Sequence, residues 1–396
     1  MFNKVCIDEL DLDNKRVLIR VDVNVPLEAG RVADDTRIRE SLPTIRYARD
    51  HKAKVILCSH LGRPKGKPSP ALSLRPVAEH LSTLLEAPVA MAEDCIGEGV
   101  EAAVARLQPG AVLLLENLRF HPEEEQNAEN FARALGGLCD VYVNDAFGAA
   151  HRAHASTVGV ARFVPIAACG FLLRKEIEQL GTLLTAPDHP FVAILGGAKV
   201  SDKIGVMKNL IGKIESFLLG GAMAYTFLRA VGHSVGASRV EEDKLDVARE
   251  TMKAARAENV AFLLPSDHIV AERIESNAPT RVVDGPEIPE GWMALDIGPK
   301  TREAFAAVIR GARTILWNGP MGVFETPPFH EGTWAIAAAV AASGGTSILG
   351  GGDTISAAVH AGLADKMTHL STGGGASLEF LEGRELPGIA ALTEKQ

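Results

Sequence analysis

Short apolar runs rich in β-branched residues punctuate the chain at 17–19, 55–58, 112–115 and 141–143. Each gives way to a polar loop and then to helix-like sequence, so strand, loop and helix form the repeating unit. Continuous rather than alternating runs predict strands buried on both faces, as in a parallel sheet covered by helices. The same rhythm returns at 191–195, 217–219, 261–264, 314–317 and 346–349. The expected fold class is therefore α/β, with two doubly wound parallel-sheet domains. Between the two series, residues 174–184 carry an amphipathic pattern closed by Ala186-Pro187-Asp188-His189-Pro190, which predicts a helix joining the domains.

Composition narrows the class without changing this picture. At 396 residues, the chain is long enough for two or three domains with their own cores. Apolar residues at 46% and charged residues at 23% are ordinary for a globular protein. The longest apolar runs, 164–173 and 335–342, fall short of the roughly 20 residues that a membrane span needs. The opening Met1-Phe2-Asn3-Lys4-Val5-Cys6 has no export pattern, so a cytoplasmic location is expected. Five cysteines, Cys6, Cys58, Cys95, Cys139 and Cys169, form no C-x-x-C pair and are expected as reduced core thiols. A net charge of −9 disfavours nucleic acid and acidic membranes as partners, so an anionic ligand needs a local basic cluster.

Ligands of doubly wound sheets sit at the carboxyl ends of the strands, and the loops there differ between the halves. In the first half they carry arginine. Arg20, Asp22 and Asn24 follow the first run and lead to Arg37, while Ser59-His60-Leu61-Gly62-Arg63-Pro64 follows the second. Arg119 follows the third, and His151-Arg152-Ala153-His154 follows the fourth. The planar guanidinium fork binds carboxylate or phosphate through paired hydrogen bonds, so Arg37, Arg63, Arg119 and Arg152 together suit a small, multiply charged anion. His151 and His154 are spaced for one helical face. Without a cysteine or carboxylate at ligand spacing, they read as anion contacts rather than as a zinc site. Glu123-Glu124-Glu125, after His121-Pro122, read as dipole-complementing residues of an exposed helix.

In the second half the loops carry glycine: 12 of the 38 glycines precede residue 186 and 26 follow it. Gly196-Gly197-Ala198-Lys199-Val200-Ser201-Asp202-Lys203 and Gly350-Gly351-Gly352-Asp353-Thr354 each follow a strand and open a helix. Such turns present backbone N–H groups and a positive helix end to phosphate. The lysines and an aspartate suited to Mg²⁺ point to a nucleotide with its metal. No Walker-A loop and no protein-kinase signature is present. Gly97-Glu98-Gly99-Val100-Glu101-Ala102 matches a dinucleotide fingerprint only formally, because its acidic residues oppose a pyrophosphate. That weighs against a nicotinamide-dependent dehydrogenase. A nucleotide-binding protein without catalysis would keep the glycine loops and lose the charged partners, all of which stand here.

In order along the chain, Arg20-Val21-Asp22-Val23-Asn24-Val25-Pro26, Ser59 to Pro64, Ala150-His151-Arg152-Ala153-His154, Gly196-Gly197-Ala198-Lys199-Val200, Trp317-Asn318-Gly319-Pro320 and Gly350 to Thr354 resemble the phosphoglycerate kinase family. The resemblance runs from Asn3 to about Leu381; Val23 stands where the family often has an aromatic residue. It implies reversible phosphoryl transfer from 1,3-bisphosphoglycerate to MgADP, giving 3-phosphoglycerate and MgATP, by direct in-line transfer after hinge-bending closure of two Rossmann-like domains. By matching position, Asp22, Asn24, Arg37, His60, Arg63, Arg119, His151 and Arg152 would hold the triose. Lys199, Lys203, the Asn318 to Gly322 loop, Glu325, Gly351, Gly352, Asp353 and Thr354 would hold the nucleotide. Glu325 would face the ribose hydroxyls and Asp353 would bind Mg²⁺. Arg37, Lys199, Gly373 and Gly374 are the candidates for stabilising the migrating group. The expected layout is a triose-binding domain at 1–173, a linking helix at 174–188, a nucleotide-binding domain at 189–372, and a segment at 373–396 that contains a hinge and returns to the first domain. Hinges are expected near Gly170, Gly181 and residues 372–377, and the enzyme is expected to be a monomer.

Overall fold

The computed structural model describes residues 3–395. The chain divides into two compact units, Met1–Glu178 with Glu385–Gln396, and Gln179–Arg384. Each is built on a six-stranded sheet in which every pairing is parallel.

The first sheet runs Val89–Met91, Val112–Leu114, Lys54–Cys58, Arg16–Val21, Val141–Asp145, Ala167–Cys169. Its central strands are continuous apolar runs because helices cover both faces: Val17, Ile19, Val55, Leu57 and Val143 are fully buried in one core with Ile38, Ile45 and Leu81 from the flanking helices. The second sheet runs Ala261–Leu263, Ser216–Leu219, Phe191–Leu195, Thr314–Asn318, Thr346–Gly350, His369–Leu370. Numbered along the chain that order is 3-2-1-4-5-6. The sheet therefore changes direction between Phe191–Leu195 and Thr314–Asn318, where doubly wound folds bind their ligands. Trp317, fully buried, anchors that central strand among Ile194, Phe305 and Ile336.

The second unit also holds an unexpected antiparallel sheet, Arg281–Asp284, Asp267–Ala271, Met293–Ile297. The joining helix spans Phe171–Thr185, starting three residues earlier than its amphipathic pattern indicates. Asp145, at the end of its strand, accepts hydrogen bonds from the Leu172 and Leu173 amides at 2.9 and 3.2 Å and so caps the helix from far away in the chain. The division between the two units falls inside this helix, after Glu178.

The chain rejoins the first unit at Glu385. Residues before that point stay with the second unit, where Asn209 Nδ2 donates to Leu381 O at 2.7 Å. After it, Gly388 N donates to Ala150 O at 2.8 Å, and Asn144 Nδ2 donates to Gly388 O at 3.1 Å. All five cysteines are buried with free thiols. No helix among the described residues is long and apolar enough to cross a membrane.

Candidate active site

The arginine loops of the first unit converge. Asp22 and Asn24 leave the end of strand Arg16–Val21, and Arg37 Nη1 reaches both, at 3.3 Å from Asp22 Oδ2 and 3.2 Å from the Asn24 carbonyl. Asn24 Oδ1 in turn accepts from Gly62 N at 2.9 Å, and Arg119 Nη1 donates to Gly62 O at 2.9 Å. Arg152 Nε donates to His151 Nε2 at 3.2 Å. His60 is the point on which these charges act. Burial, and then the guanidinium groups of Arg20, Arg119, Arg152 and Arg37, hold its pKa well below the usual histidine value. His154 is held down to about 4 by burial and then by Arg119, Arg20, Arg152 and His151. So many cations around two neutral rings form a pocket built for an anion. Arg63 differs from the rest of the set in being exposed.

A second shell of charge lies beneath this pocket, and the sequence reading missed it. Arg20 is 1% exposed; its Nε donates to Ser156 Oγ at 2.9 Å and its Nη2 to His60 Nδ1 at 2.9 Å. Ser156 Oγ donates to Glu124 Oε1 at 2.5 Å, while its amide donates to Glu124 Oε2 at 2.9 Å. Glu124 is thus not on an exposed helix. It is 1% exposed, and burial raises its pKa against the opposing pull of Arg20 and Ser156. Its role is that of a buried counter-charge. The E-E-E run hid it, because the neighbours Glu123 and Glu125 are partly or fully in solvent. His151 lies in a turn and His154 in irregular loop rather than on a helix, so the spacing argument for one helical face does not apply to them.

In the second unit the glycine loops meet at the sheet's change of direction. Gly196 N donates to Asn318 O and Gly197 N to Pro320 O, both at 3.0 Å. Gly319, at φ +104°, lies against the Gly196 backbone, where any side chain would collide. Gly322 is equally constrained, since a Cβ there would sit 2.5 Å from Asp296 Oδ1 and 2.6 Å from Phe329 O. Lys203 Nζ donates to Asn318 Oδ1. Asn318 is 2% exposed, its Nδ2 has no partner among the described residues, and a Cβ on Gly350 would lie 2.9 Å from that nitrogen. An orphaned buried donor beside a glycine loop fits a phosphate oxygen as its acceptor.

These loops open onto a cavity of about 270 Å³ with Gly197, Gly322, Glu325 and Asp353 at its polar side. Its apolar wall includes Ile274 and Leu295, the latter from the antiparallel sheet, whose part in the site the sequence analysis did not foresee. Asp353 and Glu325 are exposed, and Asp353 lies in the first turn of helix Gly352–His360, whose N-cap is Gly351. An oxygen donor at this helix start, with phosphates to supply further ligands, suits Mg²⁺, which takes one or two carboxylates together with substrate phosphates.

Thr354 plays a different part from a direct contact. It is fully buried, and its Oγ1 accepts from Gly319 N at 2.6 Å, tying the two loops together. Lys199 is exposed. Gly373 N donates to Ser371 Oγ at 3.3 Å, and Gly374 takes φ +54° as the cap of helix Gly375–Leu381. A larger groove of about 830 Å³ lies at the amino end of the first sheet beside Arg16, Glu101 and Arg133, away from all of these residues.

Fold and sites together define a two-unit α/β protein with an arginine-rich pocket on one parallel sheet and a glycine-lined cavity on the other. The profile of the family described as phosphoglycerate kinase matches residues 7–384. The phosphoglycerate kinase of Moorella thermoacetica is 60% identical over 392 residues, covering 99% of this chain and 100% of that one. That of Anaeromyxobacter dehalogenans is 59% identical over 391 residues, covering 98% and 99%. Among solved structures, phosphoglycerate kinase from Coxiella burnetii superposes with a TM-score of 0.89 at 42% identity, and that from Pyrococcus horikoshii with 0.85 at 34%, each covering 98% of both chains. The chain belongs to the phosphoglycerate kinase family. It is an enzyme of reversible phosphoryl transfer between 1,3-bisphosphoglycerate and ADP, a glycolytic step.

Proposed function

We propose that the two units divide the substrates, with the triose bound in the first and the nucleotide in the second, and that a direct in-line transfer follows domain closure. The observation that carries this reading is the burial of neutral His60 among Arg20, Arg119, Arg152 and Arg37, which leaves a pocket with excess positive charge and a ring N–H donor. Asp22 and Asn24 would orient the triose, Arg37 and Arg119 its charged groups, and His151, Arg152 and the exposed Arg63 its outer edge. The orphaned Asn318 amide, Lys203 and the amides of Gly351 and Gly352 would hold the phosphates, Glu325 the ribose, and Asp353 the Mg²⁺ that accompanies the nucleotide. When bound, Mg²⁺ neutralises phosphate charge.

Chemistry of this kind needs no covalent intermediate on the protein. It needs alignment and positive charge around the three equatorial oxygens of the migrating group, supplied in this reading by Arg37, by Lys199 and by amides near Gly373 and Gly374. Closure would also exclude the water that hydrolyses an acyl phosphate. The same reading takes the enzyme to act as a monomer in the cytoplasm on small anionic substrates. Two measurements test the division of labour together. Coupled assay of ATP formation from 1,3-bisphosphoglycerate and ADP should show turnover, and calorimetry should show 3-phosphoglycerate and MgADP each binding in the other's absence. Turnover without independent binding of either ligand would overturn the assignment of one substrate to each unit.

A further inference from the structure

Outside both pockets, the loops that follow the two outer strands Val89–Met91 and Val112–Leu114 bring three different ligand types together. Carboxylate, thiol and imidazole donor atoms of Asp94, Cys95 and His121 all lie within 4.8 Å of one another. Asp94 and Cys95 are neighbours, whereas His121 comes from the turn beyond the adjacent strand, so no sequence spacing announces the group. We propose that Asp94, Cys95 and His121 form a binding site for a zinc ion.

The donor set supports zinc over the alkaline-earth cations. Thiolate and imidazole suit a borderline-soft ion, whereas Mg²⁺ and Ca²⁺ take oxygen. Bond lengths of about 2.0–2.3 Å at tetrahedral angles put neighbouring ligand atoms about 3.3–3.6 Å apart. His121 Nε2 now lies 2.7 Å from Asp94 Oδ1, so an ion between them requires a widening of about 0.6 Å, within reach of a side-chain rotation. The backbone already holds the ligands in place. Glu116 N donates to Asp94 O at 3.3 Å, joining the two loops, His121 N donates to Leu118 O at 3.2 Å, and Cys95 N donates to Asp94 Oδ1 at 2.7 Å. The imidazole packs on Phe131, with ring centroids 5.4 Å apart.

Access and burial are divided in the manner of an open metal site. Cys95 is fully buried, while the Asp94 side chain is 50% exposed and that of His121 27%. The exposed side admits the ion and leaves the fourth position to water. His121 stands two residues beyond Arg119, on the end of the turn Leu118–Phe120. An ion joining His121 to the Asp94 loop would therefore stiffen the segment that presents Arg119 to the anion pocket.

Cobalt substitution tests this with a readout independent of turnover. The chelator-treated full chain, without nucleotide, is titrated with Co²⁺ and followed by absorption, and Zn²⁺ affinity is then measured by competition. One equivalent should produce a thiolate-to-cobalt charge-transfer band in the near ultraviolet, displaced by Zn²⁺. Cys95→Ser should abolish the band, His121→Gln should weaken Zn²⁺ binding by on the order of tenfold or more, and Cys139→Ser should leave both unchanged. A folded parent protein that gives no such band, or a band that survives in Cys95→Ser, would overturn the proposal. Should Cys95→Ser fail to fold, His121→Gln decides alone: unchanged Zn²⁺ affinity would exclude the site.

Discussion

Arg20 Nη2 lies 2.9 Å from His60 Nδ1, and that contact sets the tautomer of the ring. A guanidinium has only donors, so Nδ1 must be the acceptor and the ring's proton must sit on Nε2. Arg20, from the strand Arg16–Val21, thus fixes the tautomer of a neutral imidazole at the floor of the anion pocket. Ser156 and Glu124 stand behind Arg20 and balance part of its charge.

This arrangement makes stability depend on pH in a defined direction. His60 is held well below the ordinary 6.5, and His154 down to about 4. The unfolded chain binds protons that these rings refuse, so their contribution is intact above pH 6.5 and is lost as pH falls from 6.5 towards 4. Histidine-selective NMR should show the His60 ring as the Nε2–H form with no titration near its ordinary value. An Nδ1–H ring titrating near pH 6.5 would contradict the assignment.

Arg37 and Arg63 differ in setting, and their variants should differ too. Arg37 is braced by Asp22 and Asn24, whereas Arg63 is exposed. Loss of a charge-assisted contact is worth about 1.5–3 kcal/mol, so Arg37→Ala should weaken 3-phosphoglycerate binding by about 10- to 100-fold. Arg63→Ala should weaken it less, and MgADP affinity should hold in both. Calorimetric titration in which MgADP binding falls instead would reverse the roles given to the units.

Asp353→Asn replaces a carboxylate with a poorer Mg²⁺ ligand while keeping the helix Gly352–His360 capped by Gly351. The affinity for nucleotide measured across a magnesium titration should fall, with binding of 3-phosphoglycerate unchanged. Parent-like affinity at every magnesium concentration would remove Asp353 from the metal.

Asp145 gives a test at the base of the joining helix. Burial raises its pKa to about 7, against hydrogen bonds from Thr44, Leu173 and Leu172. A carboxyl group raised in the folded state favours folding below its unfolded pKa, and that contribution is lost as pH rises through about 7. Asp145→Asn keeps an acceptor for the helix amides and removes the charge. Relative to the parent, its stability should therefore rise between about pH 4 and 7, by up to about 4 kcal/mol. Parallel melting curves for the two proteins across that range would show that Asp145 does not titrate there.

Much of this was readable from the chain because the central strands are buried on both faces. Runs such as 55–58 and 191–195 have no polar side and stand out from their surroundings. The outer strands Val89–Met91, Ala167–Cys169 and His369–Leu370 span two or three residues each, too few for any period to show. In the antiparallel sheet Asp267 and His268 open one buried strand, Asp296 interrupts another, and Arg281–Asp284 is largely exposed, so no continuous apolar run marks the sheet that walls the glycine-lined cavity. The loop residues named from motifs were legible as chemistry. Arg20 and Glu124 were not, because what distinguishes them is burial by distant segments: Arg20 ends the apolar run of a strand and reads as the start of the following loop, and Glu124 lies in a run of like charge.

Substrates bound on separate units are expected to meet through closure, with the helix Phe171–Thr185 crossing the boundary between the units. In-line transfer requires reacting atoms within about 3–3.5 Å, so closure is expected when both ligands are present. Small-angle X-ray scattering on the free enzyme, on each binary complex and on the ternary complex with 3-phosphoglycerate and MgADP measures this directly. The account predicts a clear fall in radius of gyration in the ternary complex, larger than in either binary one. A radius that is the same in all four states would contradict it.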